Sequence, residues 1–396
     1  MDLLKKEENF FFRTYSRIPI EITHGEGVHL YDKHGNRYLD MFAGLAVNAL
    51  GYSHPRILQA INDQCTKYIH LSNYYLQESQ IRLAELLLQA SNYSKVFFCN
   101  SGTEGIEGAI KIVRRWGKLN GKTKIISFTN AYHGRTLGAL SLMDRQKYRE
   151  GYDPFLPDCS VIPFNSVPDL KKSVSDLTAA VFLEYIQGEA GVIPAETSFL
   201  AELQALRDQY NFLIVADEIQ SGLGRTGKFF AFEHYHIIPD IVIVAKSLGG
   251  GLPLGAILGN DRVNNIFEPG THGSTFGGNP VACAAGIVVL DELLNHGLME
   301  NAMTMGNILQ AKLLKLHEEY PTIITVVRGK GLMLGVELSC DCTPIRLGLL
   351  EKKILVNCTG NNVLRLLPPL TITREHINEF TEQFNQVLHH ITHLKK

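Results

Sequence analysis

The chain has 396 residues, of which 45% are hydrophobic and 20% are charged. This length suits one large domain with a smaller one, and the composition is that of an ordinary globular protein. The formal net charge of -2 supplies no basic field for nucleic acid and no acidic tail, so we expect no nucleic-acid partner.

The N-terminal region predicts a hairpin. The first twelve residues mix charged and apolar side chains without the apolar core of a signal peptide, so we expect a cytoplasmic protein. Residues 28–40 alternate apolar and polar side chains around the turn signal KHGN. This pattern predicts a β-hairpin.

The middle of the chain carries short apolar runs that are rich in Val, Ile and Phe. They are KVFFCN, TKIISFTN, AAVFLEY, FLIVADE, DIVIVAK and GAILG, and segments of helix length separate most of them. Strands that are apolar on both faces predict an α/β fold with a mainly parallel sheet covered on both sides. The uncharged residues 272–290 include Pro280 and several glycines, so they predict a buried helix and not a membrane span.

The pattern changes again from about residue 290. A long helical stretch, a strand-like stretch and a final amphipathic helix beginning near Thr373 follow one another. We expect residues 1–45 and 291–396 to form one small, discontinuous α+β domain. Residues 46–290 would form the large α/β domain.

The seven cysteines are irregularly spaced, and their odd number argues against a disulfide framework. Cys340 and Cys342 stand close together, but no second pair completes a zinc site. We therefore expect both to be plain thiols, and we expect no metal.

The stretch KVFFCNSGTEG predicts a strand that ends at Asn100, then a short turn and a helix. Ser101, Gly102 and Thr103 offer hydroxyls and backbone N–H groups at the helix N-terminus, which suits a phosphate. The same residue types are also favoured as plain helix caps, and the stretch alone does not decide between the two.

Two adjacent acids, Asp217 and Glu218, close a fully apolar strand. In an open parallel sheet they would reach the edge where ligands bind. They could hold a metal or a nucleotide-linked magnesium ion, pair with a protonated ring nitrogen, or cap the next helix. Residues 222–229, GLGRTGKF, have the spacing of a phosphate-binding P-loop, but Phe229 lacks the hydroxyl that magnesium needs there.

A third strand end carries Lys246, which three consecutive glycines follow closely. Most lysines are solvated surface charges, but this one follows an apolar run into a partly buried position. Burial lowers the pKa of an amine and makes it a nucleophile for carbonyl compounds. A nucleophilic lysine, an aspartate for a pyridinium nitrogen and a phosphate cradle together indicate pyridoxal phosphate (PLP).

These motifs lie within a sequence that resembles the class III (subgroup II) PLP-dependent aminotransferases, most closely their acetylornithine branch. The resemblance runs through TYSRIPI, HGEGVHLYDKHGNRYLD and AVNALGYSHP to LRLLPPL, nearly the whole chain. It implies PLP-dependent transferase fold type I and a homodimer with a shared active site. It also implies that Lys246 carries PLP as a Schiff base and serves as the proton-transfer group.

The resemblance assigns further cofactor contacts. Asp217 would hold the pyridine nitrogen protonated, Gln220 would lie near the ring hydroxyl, and Tyr132 would stack on the ring or pack in the core. Ser101, Gly102 and Thr103 would bind the phosphate. Thr275 would contact the phosphate bound by the other subunit.

The resemblance also assigns substrate contacts. Arg365 would bind the α-carboxylate of glutamate or 2-oxoglutarate, and Glu189 would pair with it when an ω-amino donor is bound. Arg135 would bind the distant carboxylate; for all three charges a structural ion pair is the alternative. Leu45 replaces the Tyr of ornithine δ-aminotransferases, which favours N2-acetyl-L-ornithine and arginine biosynthesis over succinylornithine, ornithine or 4-aminobutyrate.

The chain departs from the family pattern at two places. It reads SGTEGIE where SGTEANE is usual, so Gly105 and Ile106 are unusual. Within a helix, Gly105 and Gly108 should each cost up to about 1 kcal/mol relative to Ala. Ile106 would remove a polar side chain near the cofactor, and Tyr185, in place of Pro, would reshape the loop before Glu189.

Overall fold

The computed structural model describes residues 3–394. The strands are β1 Ile22–Glu26, β2 His29–Asp32, β3 Arg37–Asp40, β4 Lys95–Cys99, β5 Lys124–Phe128, β6 Cys159–Ile162, β7 Thr178–Leu183, β8 Ile186–Gln187, β9 Ile193–Pro194, β10 Leu213–Asp217, β11 Ile241–Val244, β12 Gly255–Gly259, β13 Ile324–Lys330, β14 Met333–Leu338, β15 Ile354–Leu355, β16 Asn357–Thr359 and β17 Val363–Leu366. The α-helices are α1 Leu3–Phe10, α2 Ala43–Ala46, α3 Pro55–Lys67, α4 Glu78–Ser91, α5 Gly102–Leu119, α6 Leu137–Leu140, α7 Gln146–Arg149, α8 Val167–Ser173, α9 Thr197–Tyr210, α10 Pro280–Asn295, α11 Leu298–Glu319, α12 Thr343–Glu351 and α13 Arg374–Leu394. Two 3₁₀ helices span Ala231–His234 and Lys246–Gly249.

A seven-stranded sheet forms the centre of the molecule, in the order β4-β12-β11-β10-β7-β5-β6. Only β12 runs antiparallel to its neighbours, so the predicted mainly parallel sheet is confirmed. Every residue of β7, β10, β11 and β12 is buried, as expected for strands that are covered on both faces. Because β4, β10 and β11 point the same way, the residues that follow them meet at one edge of the sheet.

Helix α5 packs unusually close to this sheet because of its two glycines. A Cβ atom at Gly105 would lie 2.6 Å from Ile243 Cγ2, and one at Gly108 would lie 2.4 Å from Ile257 Cδ1. Alanine would therefore clash, so the predicted gain from alanine at these positions is wrong. Ile106 is fully buried in the apolar cluster between α5 and the sheet.

The two ends of the chain meet in one small sheet. Strands β2 and β3 form the predicted hairpin, in which Tyr31 lies opposite Arg37. Strand β15, from the C-terminal part, then pairs in parallel with β3, with Ile354 opposite Leu39. A second four-stranded sheet, β13-β14-β17-β16, is made from the C-terminal part alone. The exact domain division stays a prediction.

Of the uncharged residues 272–290, those from Pro280 onward form the mostly buried helix α10, as predicted, whereas residues 272–279 lie outside the helix. Among the described helices, none alone is long and apolar enough to cross a membrane. Helices α10 and α11 meet the length and composition requirement only as a pair, and this pair is bent by 66°.

The prediction that Cys342 is a plain thiol is wrong. Cys342 forms a disulfide with Cys358, and their Cα atoms are 6.0 Å apart. Cys342 lies just before α12 and Cys358 lies in β16, so the fold joins two cysteines that are 16 positions apart. Cys340 is a free thiol, as predicted.

We predict that Cys358→Ser lowers the free energy of unfolding by about 2–4 kcal/mol, because the disulfide restricts the unfolded chain. Urea unfolding under non-reducing conditions measures this difference, with Cys65→Ser, which removes an exposed free thiol, as the control. Titration of the denatured, unreduced protein should find thiols on five of the seven cysteines. Seven thiols would contradict the disulfide.

Candidate active site

A cavity of about 410 Å³ opens at the carboxyl edge of the central sheet. Eight of the residues predicted from sequence line it: Ser101, Gly102, Thr103, Tyr132, Arg135, Asp217, Gln220 and Lys246. They lie at or just beyond the carboxyl ends of β4, β5, β10 and β11. The parallel direction of these strands is what brings residues so distant in sequence together.

The N-terminus of α5 faces this cavity. Ser101 caps the helix by accepting a hydrogen bond from Glu104 N, so the helix-cap interpretation is correct for its hydroxyl. The first N–H groups of a helix still lack partners within it, and they attract an anion. Gly102 leaves no room for a side chain, because a Cβ atom there would lie 2.6 Å from Ile219 Cδ1. The start of α5 therefore combines the Ser101 cap with backbone N–H groups of the kind that suit an anion.

Asp217 is buried and paired with a histidine that the sequence did not single out. Its Oδ2 atom lies 2.8 Å from His133 Nδ1, and Ile219 N donates to its Oδ1. Burial opposes a positive charge on His133, but the hydrogen bond to Asp217 and the charge of Asp217 raise the pKa of His133. Asp217 is thus oriented by contacts on both of its oxygens.

The neighbouring acid, Glu218, points elsewhere. Its carboxylate accepts hydrogen bonds from Ala231 N, Phe232 N and the Ser221 hydroxyl, and burial raises its pKa to about 7. Glu218 thus anchors the following turn. Within residues 3–394, no three His, Cys, Asp or Glu side chains are grouped to hold a metal ion.

A third buried acid, Glu184, lies at the end of β7 and also lines the cavity. It accepts hydrogen bonds from Tyr132 N at 3.0 Å and from Gly188 N at 3.2 Å. Burial and the charge of Asp217 raise the pKa of Glu184 to about 7. Its position after an apolar run, in AAVFLEY, was the available sequence signal.

Lys246 follows β11 directly and adopts a left-handed backbone conformation, with a φ of 48°. Burial, and then the positive charge of Arg365, lower the pKa of Lys246 to about 8. A much larger share of this amine is therefore neutral near pH 7.5 than for an ordinary lysine, whose pKa is about 10.4. The neutral amine is the form that attacks carbonyl carbon.

Arg365 and Glu189 form an ion pair beside the cavity, in which Arg365 is buried and Glu189 is partly buried. Arg365 is only 1% exposed, and its Nη1 atom lies 2.5 Å from Glu189 Oε1. The guanidinium also donates to Gln220 Oε1 at 3.1 Å and to Asn357 Oδ1 at 2.6 and 3.2 Å. Burial opposes ionisation of Glu189, but Arg365 outweighs it and lowers the pKa of Glu189. Asn357 was not identified from sequence.

Gly188 makes room for this arrangement. A Cβ atom at position 188 would lie 2.1 Å from Gln220 Oε1. Tyr185, three residues earlier, is fully buried, and its hydroxyl donates to Ile237 O. Its side chain packs against Phe232 and Tyr235, and it does not line the cavity.

Four predicted residues do not line this cavity. Arg365 and Glu189 are linked to it through the hydrogen bond from Arg365 to Gln220, and the other two are Thr275 and Leu45. Thr275 lies on a separate concave surface with Asn73, Tyr74 and Ser274. Leu45 is 38% exposed and is likewise not among the lining residues. Within a single chain, the structure brings neither residue to Lys246.

The P-loop interpretation of residues 222–229 does not fit the structure. Arg225 is 2% exposed, and its guanidinium donates to Leu332 O and Pro368 O. A four-residue 3₁₀ helix, Ala231–His234, follows the segment, where a P-loop precedes a long helix. These residues connect the central sheet to the C-terminal part of the chain.

The known proteins that this chain resembles in sequence and structure are aminotransferases, which agrees with the geometry of the site. The family model for class-III aminotransferases matches residues 10–388. An acetylornithine aminotransferase from Clostridium acetobutylicum is 44% identical over 94% of this chain and 97% of its own. The crystallised ornithine aminotransferase of Toxoplasma gondii, described as having partial occupancy of PLP at its active site, gives a TM-score of 0.95 at 31% identity, covering 100% of this chain and 95% of that one. Acetylornithine aminotransferase from Elizabethkingia anophelis gives 0.87 at 32% identity, covering 98% of both chains. The predicted fold type I is confirmed.

We predict that Lys246 of the cofactor-free protein reacts with pyridine-4-carboxaldehyde along a pH curve with its midpoint near 8. The rate should rise with pH through that midpoint and then level off, because the amine loses its proton there. Cyanoborohydride trapping and peptide mass spectrometry measure the rate at this residue, with Lys246→Ala as the blank. A rate that climbs steadily up to about pH 10, as for an ordinary lysine, would contradict the lowered pKa.

Proposed function

The chain belongs to the class-III aminotransferases, and on that premise we propose that it transfers the δ-amino group of N2-acetyl-L-ornithine to 2-oxoglutarate. The products would be N-acetyl-L-glutamate 5-semialdehyde and L-glutamate, a step of arginine biosynthesis in the cytoplasm. The observation that carries the proposal is that Lys246 and Asp217 line one cavity, and that Gln220, which also lines it, accepts a hydrogen bond from Arg365 of the Arg365–Glu189 pair.

We propose PLP as the cofactor, since the residues around the cavity fit its parts. Ser101, Gly102 and Thr103 would hold the phosphate at the start of α5, where the absence of a side chain at position 102 leaves space for Ile219, another lining residue. Asp217, fixed by His133, would meet the ring nitrogen. When bound, PLP supplies an electrophilic carbonyl carbon and an electron sink for the carbanion that forms on loss of a proton.

Lys246 would carry the cofactor and would move the proton. Its pKa of about 8 leaves a substantial neutral fraction of the amine at physiological pH. A neutral Nζ takes the proton from the substrate carbon that bears the amino group, and the resulting ammonium can return it. Tyr132 would bound the ring face, and Gln220 would lie between the ring hydroxyl and Arg365.

Arg365 and Glu189 would let one pocket accept two kinds of substrate. With an ω-amino donor bound, Glu189 stays paired with Arg365, so the buried positive charge is balanced. With 2-oxoglutarate, the α-carboxylate replaces Glu189 on Arg365, and its planar fork suits two parallel hydrogen bonds. Arg135 would bind the distant carboxylate of either substrate.

We propose a homodimer, in which Thr275 contacts the phosphate bound by the other subunit. Large side chains stand exposed near Thr275: Tyr74 is 96% exposed, Leu76 is 91% exposed and Phe276 is 58% exposed. Apolar patches of this kind mark protein interfaces. The dimer would complete each active site.

We predict that Lys246→Ala lowers turnover of N2-acetylornithine and 2-oxoglutarate by at least about 10³-fold, since both the cofactor anchor and the proton carrier are lost. Lys118→Ala, an exposed position on α5, is the matched control and should retain turnover. Thermal unfolding shows whether both variants fold. Near-normal activity of Lys246→Ala would contradict the proposal.

The choice of donor has its own test. Single-turnover mixing of the PLP-loaded protein should give a fast absorbance change with N2-acetylornithine and much slower changes with ornithine and 4-aminobutyrate. Succinylornithine is the fourth member of the panel. If another donor reacts fastest, the chain is a different ω-aminotransferase of the same class.

We predict that Glu189→Gln lowers KM for glutamate by at least about tenfold, because the glutamate carboxylate no longer has to displace another carboxylate from the buried Arg365. N2-acetylornithine leaves the partner of Arg365 in place, so its KM should change much less. Separate kinetics of the two half-reactions measure the difference. An equal change for both donors would contradict the exchange of partners on Arg365.

A further inference from the structure

Tyr148 of α7 lies between two arginines at the rim of the active site. The guanidinium carbon of Arg135 lies 3.7 Å from the centre of the Tyr148 ring, and that of Arg145 lies 5.7 Å from it. Arg145 Nη1 also donates to the Tyr148 hydroxyl at 3.4 Å. Neither Tyr148 nor Arg145 lines the central cavity.

Arg145 makes a second contact that reaches Glu189. Its Nη2 atom donates to the main-chain oxygen of Glu189 at 2.6 Å, and the Thr359 hydroxyl donates to the same oxygen at 2.6 Å. The Glu189 side chain, in turn, pairs with Arg365. An unbroken series of contacts therefore runs from Arg135 through Tyr148 and Arg145 to Glu189 and Arg365.

The two ends of this series are the two carboxylate receptors of the proposed function. A five-carbon dicarboxylate such as 2-oxoglutarate would use Arg365 at one end and Arg135 at the other. Arg365 is fixed by burial and by Asn357. Arg135 is exposed, and its guanidinium carbon lies much closer to the ring centre of Tyr148 than to that of Tyr132, at 3.7 Å against 5.7 Å. Its position therefore depends mainly on the Tyr148 ring.

We propose that Tyr148 and Arg145 are positioning residues that set the separation between Arg135 and the Glu189–Arg365 pair, and so select dicarboxylate substrates by chain length. This inference rests on the proposed function. The planar fork of Arg145 holds two acceptors, the Tyr148 hydroxyl and the Glu189 carbonyl oxygen, in a fixed relation. Tyr148, held in this way, fixes the position of the Arg135 guanidinium by stacking against it.

A positioning role and a simple charge role differ in what they change. If Arg145 only adds positive charge, its loss weakens every dicarboxylate to a similar degree. If Arg145 fixes the separation between Arg135 and the Glu189–Arg365 pair, its loss weakens binding of the best-fitting dicarboxylate most. The protein then discriminates less between chain lengths. The ratio of the affinities for dicarboxylates of different chain length therefore distinguishes the two roles.

The test uses the PLP-loaded protein and calorimetric binding of succinate, glutarate and adipate, which have four, five and six carbons and cannot react. We expect the unaltered protein to prefer glutarate. Tyr148→Leu and Arg145→Gln should each reduce that preference by about two- to fivefold, the scale of a lost cation–π contact at an exposed site. Tyr148→Phe keeps the ring but loses the hydroxyl contact, so it should give a smaller reduction in the same direction.

Lys147→Gln is the matched control, since it removes an exposed charge from the same helix. It should leave the ratios unchanged. Thermal unfolding and bound PLP confirm that each variant is folded and loaded. Unchanged ratios in Tyr148→Leu and Arg145→Gln, or equal weakening of all three ligands, would overturn the positioning role. If the unaltered protein binds no dicarboxylate, the proposed function itself fails, and this inference fails with it.

Discussion

Arg365 carries a full positive charge while only 1% of its surface is exposed, and the active site is arranged so that this charge is always paired. Breaking a buried ion pair from one side costs several kcal/mol, because the remaining charge has neither water nor a partner. Glu189, Asn357 and Gln220 all contact the guanidinium. Gly188 has no side chain because Gln220 occupies that space. In the proposed function, a substrate carboxylate would replace Glu189 among these partners.

The central sheet supplies the rest of the chemistry by burying other charged groups beside Arg365. Burial and Arg365 lower the pKa of Lys246 to about 8, which makes its amine reactive. On the acidic side, burial raises the pKa of Glu184 to about 7, while Asp217 is held by His133. Asp217, Glu184 and Lys246 lie at or just after the carboxyl ends of their strands, and His133 lies in the loop after β5. The direction of the strands therefore brings these side chains to one site.

The sequence predicted the features that depend on local pattern. The apolar runs predicted the sheet, and the strand ends identified Asp217 and Lys246 by their residue types. Glu189, Arg135 and Arg365 came from family resemblance, because no local pattern reveals that residues 176 positions apart form an ion pair. Such long-range contacts are decided by packing of the whole chain.

Packing between elements also accounts for the contacts that the sequence did not reveal and for the predictions that were wrong. The contact of Arg145 with Glu189 and the Cys342–Cys358 disulfide each join separate elements of the fold. Asn357 lies opposite Arg365 in the antiparallel pair of β16 and β17, and the sequence pattern did not reveal that register. Helix propensity gave the wrong sign for Gly105, because it ignores how closely α5 approaches Ile243.

The most direct measurement is borohydride reduction of the PLP-loaded protein, followed by digestion and peptide mass spectrometry. If Lys246 anchors the cofactor as proposed, the peptide that contains Lys246 will carry the reduced PLP mass, and Lys246→Ala will carry none. If a different lysine is modified and the Lys246 peptide is not, the proposed role of Lys246 is wrong. The proposal that the cavity around it holds PLP would then be wrong too.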